Sequence, residues 1–150
     1  MGIVNEMRLE FLSCPANEAF ARMVISAFVL PLNPTLEQLG DIKTSVSEAV
    51  TNAVVHGYGE GSGVIRMKAL LSEQGELTVE VIDNGCGIRD VRQARQPFFT
   101  TLEESERSGM GFTVMESFMD TVQVISEPGR GTTVRMTKQI LAPQELAREA

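Results

Sequence analysis

The hydrophobic positions of this chain change period along its length, and each change marks a predicted element. Near the N-terminus, Met7, Leu9 and Phe11 alternate with polar residues, which predicts a half-buried strand. From Pro15 onward, apolar residues recur every three or four positions, which predicts a helix that ends before Pro31. The residues expected to face inward on this helix are Phe20, Met23, Val24, Ala27 and Phe28.

A second, longer helix is predicted from a capping box formed by Thr35 and Gln38 to about Gly57, a residue that can take the left-handed C-terminal conformation. Its expected buried stripe is Leu39, Ile42, Val46, Ala49, Val50 and Ala53. A polar face runs beside that stripe in steps of three or four residues and consists of Ser45, Glu48, Asn52 and His56.

The rest of the chain predicts two hairpins separated by an irregular stretch and a short helix. The predicted strands are Val64 to Leu71, Leu77 to Asp83, Thr121 to Glu127 and Thr132 to Ile140, and the helix is Phe112 to Met119. The stretch from Ile88 to Ser108 carries only a short helical turn near Asp90 to Arg95 and is interpreted as a lid. This order predicts an α+β fold, a two-layer sandwich with a mixed, mostly antiparallel sheet and helices on one face.

Length and charge narrow the function classes. The 150 residues predict a single domain over 1–141 and a frayed tail over 142–150. The net charge of -7 argues against nucleic acid as a direct partner, because phosphate binding requires a basic surface. The apolar stretches are too short to span a membrane, so we expect a cytoplasmic protein. Cys14 and Cys86 have no metal-ligand spacing.

Three short motifs carry the candidate chemistry. Glu48 and Asn52 lie one helical turn apart, and such a pair supplies a general base and a neutral oxygen ligand for a hard cation. The run Asp83-x-Gly85-x-Gly87 ends a strand, and a match of this kind is expected by chance only about 0.03 times in this composition. The run Gly109-x-Gly111 precedes a helix, where backbone N–H groups attract phosphate.

Each motif also has a purely structural interpretation. The polar helix face is compatible with simple solvation, Asp83 with a strand-end turn, and the last glycine pair with a flexible loop. The sequence contains neither a Walker motif nor G-x-G-x-x-G, and His56 is its single histidine. Taken together and in this order, the motifs favour a magnesium nucleotide site of another type.

The ordered motifs, with Gly131-Thr132-Thr133 in the last hairpin, resemble the ATP-binding domain shared by gyrases, Hsp90 chaperones, histidine kinases and MutL, the GHKL superfamily. Within it, the runs Ser47 to Ala53, His56 to Tyr58 and Phe99 to Phe112 resemble the anti-sigma-F family of serine-protein kinases over nearly the whole chain. The resemblance implies a Bergerat-type site for ATP or ADP with Mg2+.

The resemblance also implies a role for each matching residue. Asn52 would bind magnesium, Glu48 would be the general base, and Asp83 would contact the adenine amine with Thr132 nearby through water. Gly85 and Gly87 would allow the backbone to approach the base. The phosphates would be covered by lid residues, namely Thr100, Thr101, Ser108, Gly109 and Gly111. As a catalytic residue, Arg107 would face the γ-phosphate or the incoming serine. It would also carry more of the phosphate contact, because Leu102-Glu103 replaces the lysine-proline pair of the family pattern.

The resulting hypothesis is a cytoplasmic anti-sigma factor and ATP-dependent serine-protein kinase. It would bind a sporulation sigma factor of the sigma-F type and phosphorylate a serine of an anti-anti-sigma partner, with Arg22 at the partner surface. The resemblance further implies a homodimer that forms through the first strand and helix. Two alternatives stay open: a general-stress anti-sigma kinase of the same fold, and a nucleotide-dependent binding switch without catalysis.

Overall fold

The computed structural model describes residues 2–58, 62–88, 91–96 and 111–140. Its strands are β1 (Ile3–Leu12), β2 (Val64–Ser72), β3 (Glu76–Asp83), β4 (Thr121–Glu127) and β5 (Gly131–Gln139). Its α-helices are α1 (Ala16–Val29), α2 (Leu36–Asn52), α3 (Val91–Ala94) and α4 (Gly111–Phe118). A 3-10 turn at Leu30–Leu32 follows α1, and a π-helical turn at Ala53–Tyr58 continues α2.

The strands form one five-stranded sheet in the order β1-β2-β3-β5-β4. All four neighbouring pairs are antiparallel, so within the described strands the sheet is wholly antiparallel and not mixed as the sequence predicted. The turn between β2 and β3 places Gly75 at a φ of 79°, which favours glycine. The α+β architecture itself is confirmed.

The hydrophobic core lies between the sheet and the helices. Alternate side chains of β2 and β3 are fully buried, among them Ile65, Met67 and Val79. Helix α1 contacts β2, α2 contacts β3 and α4 contacts β4, with α2 in the middle of the helical layer. The opposite face of the sheet carries charged side chains such as Lys68, Glu80 and Arg135. The central helix is therefore placed directly above the central strand, and the two end in the same region.

Polar contacts tie the central helix to the last strand. Lys138 donates from Nζ to the Phe118 carbonyl at 2.6 Å and lies 3.6 Å from the Asp41 carboxylate. Gln38 donates from Nε2 to the Ile140 carbonyl at 3.1 Å. These bonds fix α2 and the C-terminal end of α4 against β5.

Helix α1 turns a different face to the core than the sequence predicted. The fully buried residues are Ala21, Ile25 and Val29, while three of the five predicted inward residues are exposed, namely Phe20, Met23 and Ala27. Apolar residues occupy two adjacent stripes of this helix, so the period alone could not select between them. The prediction was wrong for these three residues, whereas Val24 and Phe28 are partly buried and pack against the core.

Helix α2 agrees with its predicted start but not with its predicted end. Both halves of the Thr35–Gln38 capping box are present, at 2.9 and 3.0 Å. Gly57 does not have a positive φ, so it does not take the left-handed C-terminal conformation that glycine allows there. Ser45, expected on the polar face, is fully buried. The helix passes instead into the π-helical turn, which extends it toward the end of β3.

Candidate nucleotide site

Asp83 lies where the end of β3 meets the π-helical turn and the start of β5. Its side chain is only 5% exposed. The Gly85 N–H donates to the Asp83 carboxylate at 2.9 Å, and the Thr132 N–H donates to it from β5. A Cβ atom on Gly57 would come within 2.9 Å of the carboxylate, so the helix backbone lies directly against it. The carboxylate is thus an acceptor fixed by two backbone donors in a glycine-lined corner.

Burial has the largest effect on the pKa of Asp83. It raises the pKa of the Asp83 carboxyl above its ordinary value of 3.8, because desolvation penalises the charged form. The hydrogen bonds from the Gly85 and Thr132 N–H groups act in the opposite direction. A desolvated carboxylate with remaining lone pairs binds strongly to an amine donor placed beside it.

Gly85 and Gly87 allow the loop after β3 to approach neighbouring backbone. A Cβ atom on Gly85 would overlap the Gly57 carbonyl, and one on Gly87, where φ is 77°, would overlap the Glu127 carbonyl. The Cys86 N–H donates to the Gly57 carbonyl at 2.8 Å, and the Cys86 thiol donates to the His56 carbonyl at 3.0 Å. The two glycines therefore hold the loop between the π-helical turn and the β4–β5 turn.

Thr132 belongs to a hydroxyl network at the same corner. It pairs with Asp83 across β3 and β5 and with Ser126 across β4 and β5. The Ser126 Oγ lies 2.7 Å from the Thr132 Oγ1, accepts the Ile88 N–H at 2.7 Å and lies 3.0 Å from the Gly131 carbonyl. The sequence predicted Thr132 but not Ser126, because only the strand register brings Ser126 to the site.

Tyr58 is a second residue that the sequence did not predict. Its hydroxyl accepts the Asn84 N–H at 2.8 Å and donates to the Val64 carbonyl at 2.8 Å. Its ring lies against Gly63, where a Cβ atom would overlap it. The end of the π-helical turn is thereby fastened to the start of β2 and to the residue that follows Asp83.

Glu48 and Asn52 lie on α2, and both are half-buried. Asn52 is the last residue of that helix. It lies five positions before Gly57, whose backbone is next to the Asp83 carboxylate. Helix α4, which begins at Gly111, packs beside α2. The helix that carries Glu48 and Asn52 thus leads directly into the Asp83 corner, and α4 is the helix beside it.

Several predicted site residues lie outside the described residues. These are Thr100, Thr101, Arg107, Ser108 and Gly109, together with Leu102-Glu103. Their assignments remain predictions, as does the frayed tail over 142–150. Gly111 is described and is half-buried at the first position of α4.

Arg22 lies away from the Asp83 corner, beside a groove between α1 and α2. Its side chain is 41% exposed and contacts Glu18 at 3.3 Å. The groove has a volume of about 580 Å³ and is lined by Arg22, Met23, Ser26, Gly40, Lys43 and Thr44. Two cationic side chains and an exposed methionine therefore share one concave surface.

Two further observations concern the described part of the chain as a whole. No helix in the described ranges combines the length and the hydropathy needed to cross a bilayer. Over the same ranges, no three His, Cys, Asp or Glu side chains are grouped so as to hold a metal ion.

Comparison with known proteins identifies families and structures that share this type of fold. Residues 11–138 match the family described as the histidine kinase-like ATPase domain. Among solved structures, the RsbU and RsbW domains of Rv1364c from Mycobacterium tuberculosis superpose with a TM-score of 0.66 at 20% identity, over 91% of this chain and 33% of that one. The catalytic domain of histidine kinase ThkA superposes with a TM-score of 0.56 at 15% identity, over 93% of this chain and 99% of that one.

Relatives with much higher sequence identity to this chain are named anti-sigma F factor. An anti-sigma F factor of Thermoanaerobacter sp. (strain X514) is 56% identical over 140 residues, which cover 93% of this chain and 97% of that protein. An anti-sigma F factor of Pasteuria penetrans is 54% identical over 144 residues, which cover 95% and 96%. The chain therefore belongs to the histidine kinase-like ATPase domain family, as a close relative of its anti-sigma F factors.

Proposed function

We propose that this protein is a cytoplasmic anti-sigma factor and serine-protein kinase. It binds a sigma-F-type sigma factor and transfers the γ-phosphate of ATP to a serine of an anti-anti-sigma protein. The observation that carries this proposal is the buried Asp83 carboxylate in its glycine-lined corner, in a chain 56% identical to an anti-sigma F factor.

The Asp83 corner suits the adenine end of a nucleotide. The carboxylate is an acceptor-only group when ionised, so it matches the exocyclic amine of adenine and repels the O6 carbonyl of guanine. Gly57, Gly85 and Gly131 leave no side chain between the three backbones that meet around it. We propose that the base lies against this closely packed backbone, with the Asp83 carboxylate fixing its orientation.

Asn52 is the candidate magnesium ligand. Its carboxamide offers a neutral oxygen, and Mg2+ is commonly held by one or two protein ligands with the remainder from phosphates and water. When bound, the ion would neutralise charge on the phosphate oxygens. Asn52 ends the helix that leads into the Asp83 corner, so this ligand lies on the chain segment that approaches the proposed base site.

Glu48 is the candidate general base. It lies one turn before Asn52 on α2, and its carboxylate would accept the proton of the attacking serine hydroxyl. Arg107, with Ser108 and the glycines that follow, is proposed from the family resemblance to contact the γ-phosphate. The catalytic and binding groups would then come from α2, the end of β3, the start of β5 and the lid.

The groove between α1 and α2 is the proposed protein-binding surface. Arg22 and Lys43 present two positive charges beside the exposed Met23 in a chain whose net charge is -7. A local cationic surface of this kind favours a partner segment with carboxylates next to an apolar side chain. We place the sigma factor or its competitor there, with Arg22 as the charged contact.

The decisive experiment mixes the purified protein with γ-labelled ATP, magnesium and a candidate anti-anti-sigma protein. Labelled phosphoserine on that partner is expected. Glu48→Gln should lower the labelling rate by about 10² to 10⁴-fold while nucleotide still binds. Glu37→Gln, which removes an exposed carboxylate from the first turn of the same helix, is the matched control and should keep the rate.

A third variant tests the groove in the same assay. Arg22→Ala should raise the KM for the protein partner and leave nucleotide affinity unchanged, whereas Arg130→Ala, at an exposed turn, should change neither. Nucleotide binding without labelled phosphoserine would reject the kinase and favour a non-catalytic switch. Absence of nucleotide binding would reject the site itself.

A further inference from the structure

We propose that Gly40 is the point of closest approach in the groove between α1 and α2, where an apolar side chain of a sigma-factor helix lies directly against the α2 backbone. The proposal rests on the proposed partner surface and assigns to it a contact residue and a shape. Its basis is a glycine that the fold does not require, placed beside two cationic side chains.

Nothing in the described fold requires glycine at position 40. The residue lies inside α2, where glycine is less favourable than alanine because it loses more backbone freedom on folding. Its φ is not positive, so its backbone conformation admits a side chain. A Cβ atom at Gly40 would meet nothing within 4 Å, whereas one at Gly57 or Gly85 would come within 2.9 or 2.0 Å of a neighbouring atom. Close packing therefore explains those two glycines but not Gly40.

The missing side chain opens the groove at one point. Gly40 is exposed, and Lys43 and Thr44 follow it at three and four positions, so the three residues share one face of α2. Arg22 and Met23 line the groove from α1. Because no atom lies near the position of the absent Cβ, an incoming side chain can approach the α2 backbone more closely at Gly40 than at Lys43 or Thr44.

The charges beside Gly40 define the chemistry of the occupant. Arg22 pairs with Glu18 at 3.3 Å, whereas Lys43 forms no ion pair with any residue in the described ranges. The two cations lie together in a chain whose net charge is -7. A carboxylate of the occupant would pair with Lys43, and a second would share Arg22 with Glu18. The groove therefore fits a segment with an apolar residue between carboxylates.

A helix is the form of segment that suits a groove bounded by two helices. An amphipathic helix lays its apolar residues into such a groove and places its charged residues at the rims. Met23, which is 71% exposed, offers a flexible apolar contact at one rim. We assign this helix to the sigma factor because relatives at 56% and 54% identity are named anti-sigma F factor. The contact made in the complex then offsets the stability that Gly40 costs the free protein.

The test measures unfolding and sigma-factor binding in the same variants of the full chain. Gly40→Ala should stabilise the free protein and lower the equilibrium constant of unfolding by about two- to fivefold in urea titrations. The same variant should bind a purified sigma-F-type factor about fivefold more weakly or worse, because a methyl group would occupy the contact. Gly40→Leu should weaken this binding further. ADP affinity should stay unchanged in both variants.

Two other variants separate the contact from general effects. Ser117 is exposed on α4 and lies outside the groove. Ser117→Ala also favours the helical conformation, so it is the matched control and should leave sigma-factor affinity unchanged. Lys43→Gln should weaken sigma-factor binding by a factor that becomes smaller as the salt concentration rises, because salt screens the charge contact that it removes.

The outcomes distinguish this proposal from the function on which it rests. Unchanged sigma-factor affinity in Gly40→Ala and Gly40→Leu would overturn the role of Gly40 and leave the anti-sigma function standing. Slower phosphorylation of the anti-anti-sigma protein, with sigma-factor affinity unchanged, would assign the groove to that protein and also overturn it. A less stable Gly40→Ala would contradict the open space above the glycine. Failure of wild type to bind the sigma factor would overturn the proposed function itself.

Discussion

Asp83 links the stability of the free protein to its proposed ligand. Its carboxyl is buried, and its folded-state pKa is raised above 3.8. Between the unfolded and folded pKa values the native state binds more protons than the unfolded state, so stability falls as pH rises through that window. A nucleotide that donates to the carboxylate would offset this desolvation. The ionised carboxylate therefore lowers the stability of the protein without nucleotide, and this same ionised form would bind the adenine amine.

The variant Asp83→Asn tests this link between the ionisation of Asp83 and the stability of the protein. The free energy of unfolding of wild type, minus that of Asp83→Asn, should decline as pH rises from 3.8 through the raised pKa and then level off. Urea titrations over a pH series measure it, and parallel curves for the two proteins would contradict it. ADP affinity should fall by about 10- to 100-fold in the variant, since a carboxamide cannot accept from the base and both backbone donors.

Single residues also show what the sequence could predict about the candidate site. Asp83, Gly85 and Thr132 were predicted because a rare local motif and a family resemblance contain them. Ser126 and Tyr58 were not, because their contacts join positions up to 38 residues apart and depend on the strand register. The two side chains that support the site through long-range contacts therefore became visible only in the folded structure.

Among the elements, local signals predicted several boundaries and the buried stripe of α2, but not the buried face of α1. The capping box placed the start of α2, and alternation placed β4 at its observed bounds, since both depend on neighbouring residues. The buried face of α1 depends instead on which of two apolar stripes meets β2, which no local signal encodes. The π-helical turn likewise reflects the packing of Gly57 on Asp83 and Gly85.

Tyr58 tests the junction between that turn and the strands. Tyr58→Phe keeps the ring against Gly63 but leaves the Asn84 N–H and the Val64 carbonyl without the hydroxyl. The free energy of unfolding should fall by about 1 kcal/mol in urea titrations. Because Asn84 follows Asp83, the stabilisation of the protein by saturating ADP should also be smaller than in wild type. An unchanged ADP effect would mean that the junction supports the fold and not the site.

Within the part of the chain that the structure describes, an apolar surface on α1 is left uncovered by the other helices. Phe20 is 47% and Met23 is 71% exposed, and Ala27 and Leu30 continue the same stripe at steps of four and three residues. Among the described strands, the neighbouring β1 pairs only with β2, so no described strand covers its outer edge. A second copy could cover both surfaces at once, which is the arrangement that the family resemblance predicts.

A homodimer through α1 and β1 makes a defined prediction. Phe20→Glu should shift sedimentation from dimer to monomer, because a carboxylate would be buried without a partner in the interface. Ile125→Glu is the control: Ile125 is 56% exposed on β4 at the opposite edge of the sheet, so it should leave the dimer intact. If both variants remain dimeric, the interface lies elsewhere. If wild type is monomeric at the concentrations where it binds its partners, the exposed stripe beside the Arg22 groove is instead available to those partners.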